Sequence, residues 1–172
     1  MFESEGSANG RAVHRESGEG DPLWAMGALM EVKLRGTETG GAIGALVVTQ
    51  PPGIATPFHV HRRESEVAYI VEGTMTYRAG DDVFHLEPGG MLFLPKGTPH
   101  AFRITGTSPC KWLGFVLPGG VEHLYQEVGR PAEQREMPDF SGIPDPIEIA
   151  RWNATGPEYG LEVVGPPIPL GA

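Results

Sequence analysis

Cysteine is almost absent from this chain: Cys110 stands alone, so no disulfide can form within it. No motif residue lies near it in sequence, and a small core or surface thiol is its expected role. Long apolar runs are missing too. The longest, around Ala42 to Val48, falls far short of the roughly 20 residues a membrane-spanning helix needs. The first twenty residues are rich in Gly, Ser and Glu and carry no apolar stretch of the kind a secretory signal requires, so a cytoplasmic protein is expected. Basic residues are also in short supply. Thirteen Lys and Arg face 22 Asp and Glu, and a formal net charge of −9 argues against an electrostatic grip on nucleic acid or on anionic lipid. Neither a helix-turn-helix pattern nor an internal repeat is visible.

What the chain does have is glycine, 25 residues, and proline, 17, within a total of 172. That length suits one domain with extensions. The glycines and prolines punctuate roughly eight to ten short apolar or alternating runs with no crossover helices between them, the pattern of an antiparallel barrel or jelly roll. Leu29 to Leu34, Ala42 to Thr49, Thr74 to Arg78, Val83 to Leu86, Met91 to Leu94, Ala101 to Ile104 and Lys111 to Leu117 are the clearest strands. Beyond Pro118 the period changes. Val121, Leu124, Tyr125 and Val128 recur at helical spacing, with Glu122, His123, Gln126 and Glu127 expected on the polar side. Asp145-Pro146-Ile147-Glu148 reads as a second helix start, with Asp145 as cap and Glu148 three residues on. Tyr159 to Val164 reads as a short strand against the barrel. The expected organisation is a flexible arm over residues 1–20, a barrel core over 21–118, and helices and tail over 119–172 packing on it.

One stretch carries the chemistry. His59 and His61 are two apart, so on a strand both imidazoles face one side with Cα atoms roughly 6.6 Å apart at a ~3.3 Å rise. Two imidazoles so placed can converge on one ion, because metal–nitrogen bonds are only about 2.0–2.1 Å long. Glu66 heads the next strand and supplies a carboxylate; His100 opens another strand after the turn Pro95 to Pro99. Glu64 is the competing carboxylate, but in the turn Arg62 to Ser65 it is expected to face water. His14, His85 and His123 read as solvated or surface residues.

The spacing resembles the two motifs of the cupin superfamily. Gly53, His59, His61, Glu66 and Gly73 match the first, Gly-x5-His-x-His-x4-Glu-x6-Gly. Gly89, Pro95, Gly97 and His100 match the second, Gly-x5-Pro-x-Gly-x2-His-x3-Asn, whose final Asn is Ile104 here and is not a metal ligand in the family. The resemblance implies an all-β cupin barrel in which His59, His61, Glu66 and His100 bind one divalent first-row ion: nickel, cobalt, manganese, iron, copper or zinc. Within the superfamily the order of residues is similar to the quercetin 2,3-dioxygenase-like group. The similarity runs over residues 23–132 and includes Pro51-Pro52-Gly53, Tyr69 to Gly73, Phe93 to Gly97 and Leu117 to Gly120. Members of that group insert dioxygen into flavonols and release carbon monoxide, which implies a second role for Glu66 as catalytic base.

Strand parity sends Phe102 and Ile104 inward with His100, and Ala68 and Ile70 inward with Glu66. The ion would then sit in an apolar mouth suited to a flat organic molecule. The expectation is a metal-dependent dioxygenase acting on an enol- or phenol-bearing aromatic. A non-enzymic ligand-binding cupin and a metal-dependent isomerase, epimerase or lyase stay open beside it. A homodimer is expected from the family and from Val67, Tyr69 and Val71 on an outward strand face.

Overall fold

Alternating side chains and glycine-marked turns make this chain fold as strands from Asp21 onward. The computed structural model describes residues 12–140, 142 and 144–169. Of the expected arm, residues 1–11 lie outside the described residues; within 12–20, Arg15 pairs with Glu38 and the Glu19 carbonyl accepts a hydrogen bond from Lys33. The strands are β1 (Asp21–Ala25), β2 (Ala28–Leu34), β3 (Gly44–Gln50), β4 (Pro57–His61), β5 (Ser65–Glu72), β6 (Met75–Ala79), β7 (Asp82–Leu86), β8 (Met91–Leu94), β9 (His100–Ile104), β10 (Cys110–Leu117), β11 (Arg130–Pro131) and β12 (Leu161–Pro167). Two helices, α1 (Glu122–Val128) and α2 (Pro146–Thr155), follow the β10 strand.

Every strand pairing is antiparallel. One sheet of seven strands has the order β11-β1-β2-β3-β10-β5-β8, and the other, of five, has β12-β4-β9-β6-β7. The fold is a jelly roll. Among the described residues twelve strands form, more than the eight to ten expected, in part because the two-residue β11 has no sequence period to announce it. Among the described residues no helix is long and apolar enough to cross a membrane.

The core forms where the inner faces meet. Ala68 and Ile70 of β5, Met75 and Tyr77 of β6, Phe102 and Ile104 of β9 and Cys110 of β10 make one buried cluster, as parity requires. Ala101, on the other face of β9, is buried as well. Burial pushes the Cys110 thiol up to about 11, so it is an inert core residue. A second cluster joins β1 and β2 to Leu46 and Val48 of β3, and a third packs Val121, Leu124 and Val128 against Val116 and Leu161.

Two glycines of the motifs hold turns that other residues would strain. Gly73 has φ 78°, and a Cβ there would lie 2.5 Å from the Pro109 carbonyl oxygen. Gly97 has φ 84° and its N–H donates to the His61 carbonyl at 2.9 Å, tying the turn before His100 to the strand that bears the other two histidines.

The C-terminal half corrects two expectations. Glu122 is not on a polar face: its side chain is 0% exposed, and its carboxylate accepts the N–H groups of Gly36 at 2.5 Å and Gly120 at 2.7 Å. The loops pack so closely over it that the carboxylate replaces water for their backbone donors. Asp145 caps α2 through the Ile147 N–H, but Glu148 does not turn back to complete a capping box; its Oε1 accepts the Met26 N–H at 2.6 Å and fastens α2 to the β1–β2 hairpin. The tail strand β12 runs beside β4, placing Leu161 opposite His61 and Val163 opposite His59.

Candidate metal centre

His59 and His61 lie on β4, His100 on β9 and Glu66 on β5. In the five-stranded sheet His59 and His100 are direct cross-strand partners, their ring centroids 4.3 Å apart. Glu66 comes from the facing sheet, so the cluster bridges the two layers. Its carboxylate lies 2.8 Å from His100 Nε2 and 3.5 Å from His61 Nε2. One donor atom from each of the four residues lies within 4.8 Å of all the others, a group that can hold a metal ion.

The outer nitrogens of the rings are all engaged. His59 Nδ1 is 2.8 Å from the Pro57 carbonyl and His100 Nδ1 is 2.9 Å from the Thr98 carbonyl. His61 Nδ1 is 2.6 Å from Glu64 Oε1. Carbonyl and carboxylate oxygens only accept, so each Nδ1 carries a proton and Nε2 is the nitrogen each ring can offer to an ion. His61 Nε2 is buried and has no hydrogen-bond partner among the described residues. A bare acceptor in that position is costly unless a cation meets it. Three imidazoles and a carboxylate are a donor set for several divalent first-row ions, and the residues fit such an ion.

The charges are strongly coupled. Burial holds His59 down to about 3, helped by the neighbouring positive charge of His100 and His61. Burial would also depress His61, but Glu66 and then Glu64 outweigh it and raise this imidazole above its ordinary value. For Glu66 burial works upward; the charge on His61 and the hydrogen bond and charge of His100 override it and hold the carboxyl near 2. The site therefore keeps a carboxylate at neutral pH, ready for a cation.

Above the cluster opens a cavity of about 360 Å³. His59, Glu66 and His100 line it together with Tyr77 and an apolar wall that includes Met30, Val48, Phe102 and Trp112. Ile149 and Trp152 of α2 also line it, as does Tyr125 of α1. Among the described residues neither the Tyr77 nor the Tyr125 phenol has a hydrogen-bond partner within the protein. Burial, then Glu66, raises both phenols well above their ordinary values. Trp112 donates its indole N–H to Gln50 at 3.1 Å, orienting that amide at the wall.

Residues 46–117 match the family model described as the cupin domain. Residues 46–117 are a cupin domain. The chain is 26% identical over 125 residues to a quercetin 2,3-dioxygenase of Bacillus subtilis, covering 73% of the chain and 37% of the relative. It is 32% identical over 68 residues to the uncharacterized protein MJ1618 of Methanocaldococcus jannaschii, covering 40% of the chain and 54% of that protein. It thus spans about a third and about half the length of these relatives. Among solved structures it is similar to a predicted oxalate decarboxylase from Thermotoga maritima, with TM-score 0.55 and 21% identity over 60% of this chain and 96% of that one. The Cnp3 cupin domain of Schizosaccharomyces pombe gives TM-score 0.54 and 14% identity over 76% and 85%. These structural likenesses concern the fold.

The four residues singled out in the sequence come together in one cluster. His85 stays apart, bonded to Thr76 at 3.0 Å, and His123 Nδ1 meets Gln126 on α1. Glu64 contradicts expectation: it does not face water, being 3% exposed and turned inward onto His61. Its place in a polar turn hid this. Tyr125 and Trp152 were also missed as cavity residues, since a helical period does not say which sheet a helix will cover.

Proposed function

We propose that this cupin is a metal-dependent oxygenase that holds one divalent first-row ion through His59, His61, His100 and Glu66 and acts with dioxygen on an aromatic small molecule bearing an enol or phenol. One observation carries it: a four-donor cluster with an orphaned imidazole nitrogen presents three of its members, His59, Glu66 and His100, to a largely apolar cavity. The relation to a quercetin 2,3-dioxygenase over 73% of the chain supports the oxygenase class.

A divalent ion held by these four residues would supply Lewis acidity and make a substrate hydroxyl more acidic. The protein supplies the rest. Glu66 is the carboxylate that lines the cavity beside the histidines, and its oxygen accepts the hydroxyl proton as the substrate binds. Phe102 and Trp112, themselves in edge-to-face contact at 5.7 Å between centroids, offer a flat apolar surface to an aromatic ring. Tyr77 and Tyr125, neutral and without protein partners, hydrogen-bond to substrate oxygens. The apolar wall keeps bulk water from the reacting atoms and strengthens each of these contacts.

The protein is further proposed to work as a homodimer. Val67 and Tyr69 of β5 stand beside Phe93 and Met91 of the edge strand β8 in register. Phe93 is 58% and Met91 62% exposed, on a face that a second copy would cover.

The test is oxygen uptake by protein loaded separately with each of the six ions, against a panel of flavonols and related enols. Substrate-dependent oxygen consumption that Glu66→Gln abolishes is expected. Tight binding of panel members with no oxygen consumption under any ion would make the protein a binding module instead.

A further inference from the structure

Glu64 sits in the turn between β4 and β5, a place where acidic side chains ordinarily reach into water. Here it is 3% exposed, and His61 is its hydrogen-bond partner, at 2.6 Å. Removing a carboxylate from water is costly, and the cost is offset only by what the carboxylate meets inside. The other two histidines of the cluster are held differently. His59 and His100 each donate Nδ1–H to a neutral main-chain carbonyl two residues before them, Pro57 and Thr98. Only His61 is backed by an anionic side chain, and only His61 has a buried Nε2 with no partner.

The geometry points to Glu64 as a positioning residue for the metal centre: it fixes His61 as the Nδ1–H tautomer and turns its Nε2 lone pair on the ion. A main-chain carbonyl cannot swing away as a side chain can, so His59 and His100 are preset by the backbone. His61 ends its strand, and its ring could otherwise rotate or take the other tautomer, whose Nε2–H would face the site and block coordination. A carboxylate behind it removes both options and makes Nε2 the strongest donor of the three. Glu64 touches neither substrate nor ion. It acts through His61.

This inference rests on the proposed metal site, and the experiment separates the two. Full-length protein without a tag, its Glu64→Leu variant and its Glu64→Gln variant are titrated with cobalt(II) against a chelator. Affinity is expected to fall about 10- to 100-fold in the Leu variant, and less in the Gln variant, whose amide oxygen can still accept the Nδ1–H. Proton NMR of the cobalt-loaded wild type should show hyperfine-shifted, exchangeable Nδ1–H signals from His59, His61 and His100. In the Leu variant the His61 signal should be lost to solvent exchange while the others remain. A carboxylate that merely holds the turn would change melting temperature and leave these signals in place. Should the Leu variant fail to fold, Glu64→Ala takes its place, and unchanged affinity with an unmoved His61 signal in that variant overturns the inference. Wild-type protein that binds no cobalt overturns the metal centre itself; wild-type binding with indifferent variants overturns only the role of Glu64.

Discussion

At the scale of single residues, the four donors are distinguishable by what each loses. Replacing His59 or His61 by Ala removes a neutral nitrogen donor, and metal content should drop to a small fraction of one equivalent on elemental analysis. Replacing Glu66 by Gln keeps the shape and an oxygen donor but removes the proposed base. Some metal should remain while turnover falls about 10²- to 10⁴-fold, the range for loss of a positioned base. Full metal occupancy without His59 would refute the ligand assignment. Protonation gives a second handle on the metal-free protein. Folded His59 stays neutral down to about 3, whereas the unfolded chain takes up that proton at about 6.5. The stability this supplies is complete above about pH 6.5 and is lost as pH falls toward 3. Glu66, near 2 when folded and about 4.3 unfolded, adds stability above pH 4.3 that disappears as pH falls through 2. His61 runs the other way: raised on folding, it stabilises below its unfolded value and the gain is lost as pH rises through the raised one. Melting temperature of the chelated protein should therefore fall between pH 6.5 and 4, and His59→Leu should flatten that fall. An equally steep fall in the variant would contradict the burial of a neutral His59.

At the scale of elements, the site is made by strands and closed by the C-terminal segment. Glu148 joins α2 to the Met26 N–H, a hydrogen bond to a charged group worth about 1.5–3 kcal/mol where it is shielded from water. Glu148→Ala should destabilise the protein by an amount in that range on denaturant unfolding. It should also speed hydrogen exchange in α2 while leaving β9 unchanged. Strand β12 covers the edge of β4, so a chain ending after residue 118 is expected to expose the backbone of the strand that bears His59 and His61 and to bind metal more weakly. The strands around the site were legible because alternation and glycine-marked turns are local signals, and the ligand set because its spacing is. The parity of β9 and β5 alone sent Phe102, Ile104, Ala68 and Ile70 into the core. What stayed hidden depended on tertiary packing. Glu122 and Glu64 look like solvated charges until the backbone donors and the imidazole that meet them are in place, and α2 covers the cavity without a buried residue of its own.

At the scale of the whole molecule, two sheets contribute to one centre: three imidazoles from the five-stranded layer and a carboxylate from the seven-stranded one. Binding an ion therefore bridges the layers, and loading should raise the melting temperature with the logarithm of the ratio of metal concentration to dissociation constant. On the outer face, Met91 and Phe93 mark the proposed contact with a second copy. Sedimentation should give a dimer, and Phe93→Glu should shift it to monomer without loss of metal, because Phe93 is exposed on a strand that bears none of the four donors. The proposed chemistry depends on the centre holding an ion. The decisive measurement is the metal content of tag-free protein by elemental mass spectrometry, alongside His61→Ala. One equivalent of a first-row metal per chain, lost in the variant, is the expected result; wild-type protein that carries none, even after reconstitution with each of the six ions, would contradict the metal centre and the chemistry built on it.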